Sequence, residues 1–365
     1  MARLPLSPHR LRSQRFWRFP LLALALALGG CGGELVHQEQ AYVFGTLVEV
    51  TLYGEPEPRA RALAREVFRE FQRLHDQYHA WKPSRLTALN AAFAAGPQPV
   101  PVEEELAGFI REATDLSRRS GGLFNPAIGR LVALWGFHGE TFEPRLPEAG
   151  AVARLVAQRP AMEDIVLAQG TAASRNPAVQ LDFGGYLKGK ALDHAARLLR
   201  GKGVTNALIN VGGNVLALGR RGDRPWRVGI QHPRKPGPIA VLDLQDGEAI
   251  GTSGDYQRYF ELDGRRYCHL IDPRTGLPGQ SAQSATVLAP PGPDAGTLSD
   301  AASKPVFLAG LEGFPASART MGTPAALLID AQGGLHVTPE LEARLSLVDR
   351  EARSLPAPPG PVALQ

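Results

Sequence analysis

The change in hydrophobic periodicity along the chain constrains its fold more than any other sequence feature. The first half has a short alternating run at residues 46–53, typical of a strand, and then two long stretches with apolar residues at helical spacing. The second half consists mostly of short β-like runs, each bounded by Gly or Pro. Long helices early and clustered strands later predict an α+β fold rather than a regular βαβ array.

Four helices and six later strands are predicted from this pattern. The helices end where Gly residues or a loss of periodicity stop them. The first helix is indicated by the apolar positions Leu63, Val67, Phe71, Leu74 and Tyr78, and the second by Leu106, Phe109, Ile110, Ala113 and Leu116. The third and fourth helices are predicted at about 190–200 and 300–310. The strands are predicted at 207–211, 226–230, 239–242, 266–271, 285–288 and 325–329.

The first thirty residues are typical of an export signal. Five arginines and no acidic residue precede the apolar run 21–28, which is too short for a comfortable transmembrane helix. The run ends in Gly29-Gly30-Cys31, which resembles a bacterial lipobox with an acylated cysteine. We expect residues 1–30 to be a lipoprotein signal peptide and Cys31 to anchor an exported protein to a bacterial membrane, facing the periplasm. The alternative is a plain signal peptide with an incidental cysteine.

Charge and cysteine content narrow the function classes further. The formal net charge is +4, but removing the five N-terminal arginines leaves 35 basic and 36 acidic side chains. A near-neutral mature chain argues against nucleic-acid binding, which needs a clustered basic face. Cys31 and Cys268 are the two cysteines of the chain, so a lipidated Cys31 leaves Cys268 without a partner. The fold must then be held by packing rather than by disulfides.

Gly, Asp, His and Lys residues cluster in four segments of the chain. The first of them is residues 181–189, which lead into a predicted helix. A Gly-rich turn before a helix offers backbone N–H groups and a positive helix end, both suited to a phosphate. Lys188 adds a point charge to the same anion. The segment is neither a P-loop nor a G-x-G-x-x-G motif, and a plain strand-to-helix turn with a surface lysine is the alternative.

The next two segments follow strands in the second half. Gly212-Gly213 after an apolar strand is most simply a hairpin or a close backbone approach. His269 stands at the end of a strand beside the Asp272-Pro273 turn and is a candidate general base, although a lone histidine is more often structural.

The fourth segment, residues 299–304, contains two oxygen-bearing side chains one helical turn apart. Asp300 and Ser303 share a helix face and could offer oxygens to a hard cation. A solvated helix start with Ser299 as its N-cap is the alternative.

Taken together and in order, these segments resemble the FAD:protein FMN transferases, a bacterial family once described as thiamine-biosynthesis lipoproteins. The resemblance spans about residues 44–310, most of the mature chain. The matching motifs are Phe44-Gly45-Thr46; Trp81-Lys82-Pro83-Ser84 with Asn90; Gly122-Leu123-Phe124-Asn125-Pro126 with Leu134-Trp135-Gly136-Phe137; Asp182 to Gly189 with Asp193; Gly212-Gly213-Asn214; Thr252-Ser253-Gly254-Asp255-Tyr256; and His269-Leu270-Ile271-Asp272-Pro273.

The resemblance implies a flavin-transferase-like fold with mixed sheets and flanking helices, and FAD in a cleft between two subdomains. Phe44, where the family usually has methionine, and Trp81 would sandwich the isoalloxazine ring. The remaining implied FAD contacts are Leu123, Phe124, Asn125 (in place of a frequent aspartate), Asp182, Lys188 and Ile271.

The implied reaction is phosphoryl transfer from FAD to a threonine hydroxyl of an acceptor protein, with AMP as leaving group and His269 as base. In the family Mg²⁺ is bound by a backbone carbonyl matching Gly185, by residues matching Asp300 and Ser303, and by a threonine. This chain has Lys304 at that threonine position. Three possibilities stay open: the Lys304 ammonium replaces the metal, Lys304 points away and Mg²⁺ is retained, or the protein binds flavin without transferring it.

Two rival functions share the same predicted site. One is a lipoprotein that binds or delivers FAD, and the other is an FAD pyrophosphatase that uses water as the nucleophile. By resemblance, the acceptor is an exported flavoprotein domain of a membrane redox complex, with threonine after Gly-Ala in a short motif. The expected organisation is a signal peptide at 1–30, a lipidated tether at 31–41, the transferase domain at 42–350 and a loose Pro/Ala-rich tail at 351–365.

Overall fold

A computed structural model describes residues 35–139, 141–349 and 351–358, which belong to one compact unit. The predicted signal peptide and the lipidation site Cys31 lie outside the described residues. Within the described ranges, no helix is both long enough and apolar enough to cross a membrane.

The strands form one large sheet and three small ones. In chain order the strands are β1 (Val36–Val43), β2 (Thr46–Tyr53), β3 (Val100–Pro101), β4 (Ile165–Ala168), β5 (Thr171–Ser174), β6 (Ala207–Val211), β7 (Asn214–Leu218), β8 (Trp226–Gln231), β9 (Pro238–Leu244), β10 (Ala249–Gly254), β11 (Tyr259–Leu262), β12 (Arg265–Cys268), β13 (Ala282–Ala289), β14 (Ala325–Asp330), β15 (Leu335–Val337), β16 (Leu345–Leu347) and β17 (Ser354–Pro356).

Nine strands make the central sheet, in the order β1-β2-β6-β7-β10-β13-β14-β15-β17. Its pairs are antiparallel except β15 with β17. All eight residues of β13 are buried because both faces of the sheet are covered there. Val287 belongs to the apolar core that the helices share, whereas the next residue, Leu288, faces the core formed with the small sheet β16-β9-β8.

The helices pack mainly on one face of the central sheet. In chain order they are α1 (Glu57–Tyr78), α2 (Arg85–Ala95), α3 (Glu104–Arg119), α4 (Gly129–Leu134), α5 (Ala149–Ala157), α6 (Leu187–Gly201), α7 (Ala295–Leu308), α8 (Gly310–Thr320) and α9 (Pro339–Glu342).

Helix α7 packs closely against α6 and β10 because glycines lie at the points of closest approach. A Cβ atom on Gly189 of α6 would lie 2.4 Å from the carbonyl oxygen of Gly296 in α7. A Cβ atom on Gly251 of β10 would lie 2.3 Å from the Ser299 carbonyl oxygen. Only glycine allows these backbones to approach so closely, and the approach brings the polar face of α7 against α6 and β10.

Asp193 fixes the start of α7. Its carboxylate accepts hydrogen bonds from the backbone N–H groups of Gly296 (2.7 Å) and Thr297 (2.8 Å), and from the Thr297 hydroxyl. These donors are among the N–H groups that a helix start leaves without partners. The family motif residue Asp193 therefore has a structural task, and it positions the helix that carries the fourth polar segment.

The predicted α+β class is confirmed, and so are most of the elements. The strand at 46–53, the two long helices, and the strands at 207–211 and 325–329 match the structure closely. The strand predicted at 266–271 is shorter, since β12 ends at Cys268. The expected pair of subdomains is not a pair of separate compact units: the cleft described below lies within one unit, beside a small apolar cluster that includes Trp135, Phe137 and Ile271.

Several boundaries were wrong. Residues 36–41, assigned to a tether, belong to β1, which pairs with β2 along its whole length. In the tail, β17 pairs with β15, so residues 354–356 are not loose. The last predicted helix begins five residues earlier, at Ala295, and Ser299 is a buried residue inside it rather than a solvated N-cap.

Candidate active site

A cleft of about 2060 Å³ lies where the motif segments meet. Sites for drug-sized ligands usually measure ~300–1,000 Å³, so this cleft has room for a ligand as large as a dinucleotide together with part of a second molecule. Most of the residues predicted to form the site line it: Phe44, Trp81, Leu123, Phe124, Asn125, Asp182, Gly185, Lys188, His269, Ile271 and Lys304.

Two predicted residues do not line the cleft. Asp300 and Ser303 are fully buried on the inner face of α7, behind Lys304. The Asp300 carboxylate accepts a hydrogen bond from Gly189 N–H (2.9 Å) through Oδ2 and forms an ion pair with Lys304 through Oδ1. The Ser303 hydroxyl lies 2.7 Å from the Ser253 hydroxyl and donates to the Asp300 carbonyl (2.8 Å).

Lys304 connects this buried pair to the cleft. Its Nζ donates to the Asp300 carbonyl oxygen at 2.7 Å as well as to the carboxylate, and the side chain is 14% exposed. Burial lowers the pKa of Lys304, and the Asp300 charge opposes that effect. A Cβ atom on Gly185 would lie 3.1 Å from the Lys304 Cε, so the lysine passes directly over the backbone of Gly185. We call Gly185, Lys188, Asp300 and Lys304 the cationic floor.

The residues present do not fit the metal that the resemblance implies. Mg²⁺ needs free oxygen ligands in near-octahedral geometry. Here both carboxylate oxygens of Asp300 have protein partners, and one of those partners is the Lys304 ammonium. The Ser303 hydroxyl is engaged inside the core. The oxygen atoms of Asp300 therefore bind the Lys304 ammonium rather than a metal ion.

His269 follows β12 and points its ring toward the same part of the cleft. Its Nδ1 lies 3.2 Å from the carbonyl oxygen of Arg258. A carbonyl only accepts hydrogen bonds, so in the neutral ring Nδ1 carries the proton and Nε2 carries a free lone pair. Burial lowers the pKa of His269 to about 3, and the positive charges of Arg258 and Lys188 contribute. The ring is therefore neutral at physiological pH, with Nε2 able to accept a proton.

Arg258 is a site residue that the motifs did not reveal. Its guanidinium donates to the carbonyl oxygens of Phe137 (2.6 Å) and Gly139 (3.2 Å), and it lines the cleft. Burial lowers its pKa, with the negative charge of Asp182 opposing. The sequence signal that could have identified Arg258 is its position two residues after the Thr252–Tyr256 motif. Its own backbone carbonyl is the one that contacts His269.

Aromatic side chains on loops also line the cleft. Phe44 lies in the turn between β1 and β2 with a φ of 57°, and its ring meets His75 edge-on at 5.7 Å. Trp81 follows α1, and its ring centroid is 5.6 Å from that of His138. Phe44 and Trp81 are partly buried and His138 is exposed, so their rings remain available to a planar ligand. We call Phe44, Trp81 and His138 the aromatic rim.

Three predicted contact residues are already engaged by the protein. Phe124 and Ile271 are 4% exposed and belong to apolar cores, so each presents only a small part of its surface to the cleft. The Asn125 amide donates to the Pro160 carbonyl (2.9 Å) and accepts from Ala127 N–H (3.0 Å). Asn125 thus shapes the wall of the cleft as well as lining it.

Asp182 lines the cleft and interacts with both Trp81 and Arg258. Its Oδ1 accepts a hydrogen bond from Gly184 N–H at 2.8 Å, which holds the Gly-rich turn before α6. Burial raises its pKa, while the Gly184 hydrogen bond, the charge of Arg258 and the Trp81 side chain oppose that effect. The segment from 182 to 188 thus delivers a carboxylate, two glycines and Lys188 to one wall.

The Gly212-Gly213 pair forms a tight hairpin turn between β6 and β7, as the structural interpretation predicts. Both residues have positive φ, 60° and 93°, which suits the two-residue turn that joins twisted antiparallel strands. Both also line the cleft, so the turn forms part of its wall.

Comparison with known proteins agrees with the motifs. A model of the ApbE family matches residues 44–328. A Rhodobacter capsulatus protein named FAD:protein FMN transferase is 44% identical over 335 residues, which cover 90% of this chain and 63% of the relative's length. A protein of the same name from Treponema pallidum is 35% identical over 310 residues, covering 78% of this chain and 84% of the relative.

Solved structures share the fold. The ApbE protein from Thermotoga maritima superimposes with a TM-score of 0.75 at 27% identity, over 85% of this chain and 99% of that one. The apo form of the Pseudomonas stutzeri flavinyl transferase ApbE gives 0.70 at 27% identity, over 81% of this chain and 92% of that one.

Proposed function

The chain belongs to the ApbE family, and on this basis we propose that it transfers FMN from FAD to a threonine hydroxyl of an acceptor flavoprotein and releases AMP. The observation that carries the proposal is the position of neutral His269, with Nε2 free, beside Lys188 and Lys304 in a cleft large enough for a dinucleotide. A base next to a diphosphate-sized cationic patch is what this reaction requires.

FAD binds with its two ends in different surroundings. The isoalloxazine ring lies on the aromatic rim, between Phe44 and Trp81, where stacking uses the partly buried rings. The diphosphate lies over the cationic floor, where Lys188 sits near the N-terminus of α6 and the helix dipole adds positive potential. The cleft is wide enough to admit a loop of the acceptor beside the bound FAD.

In the reaction the threonine oxygen forms a bond to the FMN-side phosphorus, and the bond from that phosphorus to the bridging oxygen breaks. AMP leaves with the bridging oxygen, and the hydroxyl proton passes to His269 Nε2. The Arg258 carbonyl holds the ring in the required tautomer. The negative charges of bound FAD offset the nearby cations, so the pKa of His269 rises from its low value in the free protein toward the range of an efficient base.

A hydrolase with water as the nucleophile is the second candidate, and the breadth of the cleft favours it. Water has access to a site that is open around bound FAD, so AMP and free FMN form when no acceptor is present. A lipoprotein that only binds or delivers FAD is the third. It shares the aromatic rim but makes no use of the free Nε2 of His269.

We further propose a location, from the N-terminal sequence, and a partner, from the family resemblance. The chain is exported and attached to a bacterial membrane through acylated Cys31, facing the periplasm. Its acceptor is an exported flavoprotein domain of a membrane redox complex. Support for the anchor comes from the cationic, apolar and Gly-Gly-Cys pattern of residues 1–31.

The test uses the full-length protein in detergent micelles, FAD, and an acceptor domain with the Gly-Ala-Thr motif. We expect the acceptor to gain the mass of one FMN and covalent flavin fluorescence, with one AMP released per label. The acceptor with Thr replaced by Val is the matched control and should stay unlabelled. AMP release without a label would identify the hydrolase, and FAD binding with neither product would identify the binding protein.

A further inference from the structure

We propose that the Lys304 ammonium is the resident cation of this active site, so that FMN transfer proceeds without a bound divalent metal. The inference rests on the proposed function and deepens it. It concerns the charge that stabilises the diphosphate as AMP leaves.

The first support is the hydrogen-bonding arrangement of the ammonium group. An ammonium has three N–H donors. The structure gives Lys304 Nζ two acceptors among the described residues, the carbonyl and the carboxylate of Asp300. Lys304 also lines the cleft, so the third donor is available to a phosphate oxygen.

The second support is that Asp300 and Gly185 accommodate the charge and the side chain of a lysine. Asp300 is fully buried, and its other carboxylate oxygen is held by Gly189 N–H. A charged pair inside a protein persists only when the remaining polar atoms are also satisfied. Both carboxylate oxygens of Asp300 have partners, and the third Lys304 donor faces the cleft. The glycine at 185 leaves the space through which the lysine side chain passes, because a Cβ there would lie 3.1 Å from Cε.

The third support is that Lys304 and a divalent ion would compete for the same oxygen atoms of Asp300. A divalent ion bound by Asp300 would have to displace an ammonium that already contacts both the carboxylate and the carbonyl of that residue. Two cations within a few Å of each other repel strongly in a buried site. Lysine and metal therefore exclude each other at Asp300.

The chemistry requires a positive charge and not a particular ion. Phosphoryl transfer is catalysed mostly by positioning and by fixed positive charges that meet the charge of the transferring and leaving groups. Lys304, together with Lys188, supplies two such charges next to His269. The bond changes are those given above, and no additional reactant is needed.

The experiment compares four proteins after dialysis against EDTA, each assayed with EDTA or with Mg²⁺ in excess over FAD. The proteins are the wild type, Lys304→Thr, Lys304→Met and the exposed-lysine control Lys202→Met, whose side chain is 51% exposed and lies outside the cleft. We expect the wild type and the control to label the acceptor at rates that agree within about twofold in the two conditions. Lys304→Met should be about 10²–10³-fold slower in both. Lys304→Thr should be slow in EDTA and at least about tenfold faster with Mg²⁺, because the substitution removes the ammonium and offers an oxygen ligand.

A second readout does not depend on activity. Mn²⁺ titrated into each protein without FAD, and followed by electron paramagnetic resonance, should bind Lys304→Thr more tightly than the wild type. Equal Mn²⁺ binding by the two proteins, wild-type labelling that falls more than tenfold in EDTA, or a Lys304→Met variant as fast as the wild type would each overturn the inference. Labelling only with Mg²⁺ would overturn this inference alone. No labelling by the wild type in either condition would overturn the proposed function as well.

Discussion

The cationic floor and the aromatic rim belong to the same cleft but are built in opposite ways. Of the floor residues, Gly185, Lys188 and Lys304 line the cleft, and Asp300 holds Lys304 from within the core. The floor belongs to α6, α7 and the turn before α6, where glycine contacts bring the elements close and Asp300 is completely buried. The rim is carried by loops, and its rings are partly buried or exposed. The floor is therefore fixed by the core, whereas the rim can adjust.

The two constructions suit a ligand with two unlike ends. Charge stabilisation depends on distance and orientation, so the groups that perform it belong on rigid elements. A planar ring is held by contact area, which tolerates small movements. We expect substitutions in the floor to change the rate and the stability of the fold, and substitutions in the rim to change affinity.

The largest effect is expected from Asp300→Ala. Removing the carboxylate leaves the Lys304 ammonium without its partner and the Gly189 N–H without an acceptor. The free energy of unfolding should fall by about 3–5 kcal/mol, and labelling should fall by about 10²-fold or more. Urea denaturation measures the first quantity. Asp115→Ala, at an exposed position of α3, is the control and should change stability by no more than about 0.5 kcal/mol. A loss below about 1 kcal/mol for Asp300→Ala would mean that the floor is not fixed by this pair.

Trp81→Ala tests the rim. Loss of one stacking face should weaken FAD binding by about 1–3 kcal/mol, which is roughly 5- to 150-fold, with little change in unfolding. Trp135→Ala provides the contrast, because Trp135 is 5% exposed and donates to the Gly276 carbonyl from within a core. It should lower stability by about 3–5 kcal/mol instead. Fluorescence titration with FAD measures the first effect, and urea denaturation measures the second. Equal destabilisation by the two variants would contradict the claim that Trp81 contributes to affinity and not to stability.

Gly185→Ala tests whether the position of Lys304 within the floor matters. The added methyl group would press on the Lys304 Cε, while the charges stay the same. A displacement of this size should slow labelling by about tenfold and leave FAD affinity within about threefold. Single-turnover rates at saturating FAD test this. Gly201→Ala, whose Cβ meets nothing within 4 Å, is the control. An unchanged rate for Gly185→Ala would show that the position of Lys304 does not matter.

The smallest effect is an acid dependence of stability that comes from His269. Its pKa is about 3 in the fold, below the ordinary value near 6.5, so the unfolded chain takes up the proton first as pH falls. The stabilisation by the neutral ring is present above pH 6.5 and is lost as pH falls toward 3. Between pH 7 and pH 6 the wild type should lose about 0.7 kcal/mol more stability than His269→Gln. Urea denaturation at both pH values gives the difference, and identical losses would argue against a depressed pKa.

The sequence predicted the architecture best where periodicity is strong. Helix α1 has apolar residues on one face, and the apolar positions predicted from the sequence are all buried in the structure. Helix α7 was placed too late because it is buried on nearly every side, consists largely of small residues and contains Pro305. Its polar residues are buried as well, so no solvent-exposed face reveals where the helix starts. Strand β1 was mistaken for a tether because its edge position leaves polar residues along it.

The site was predictable as a set of segments but not as a set of contacts. The motif segments each contribute residues to the cleft wall, because the Gly-rich turns among them need glycine for local reasons. Residues outside the motifs, such as Gln38 and Trp226, line the cleft as well. That Asp300 bonds Gly189 N–H depends on the crossing of α6 and α7, which no local pattern encodes. Arg258 was missed for the same reason, since its backbone carbonyl matters only once His269 is brought beside it.

The most direct test of the account is a crystal structure of the protein with FAD, grown with Mg²⁺ present. We expect a diphosphate oxygen within about 3 Å of Lys304 Nζ, the isoalloxazine ring between Phe44 and Trp81, and no metal at Asp300. A divalent ion coordinated by the Asp300 carboxylate, with Lys304 turned away from the diphosphate, would contradict the assignment of the cationic floor.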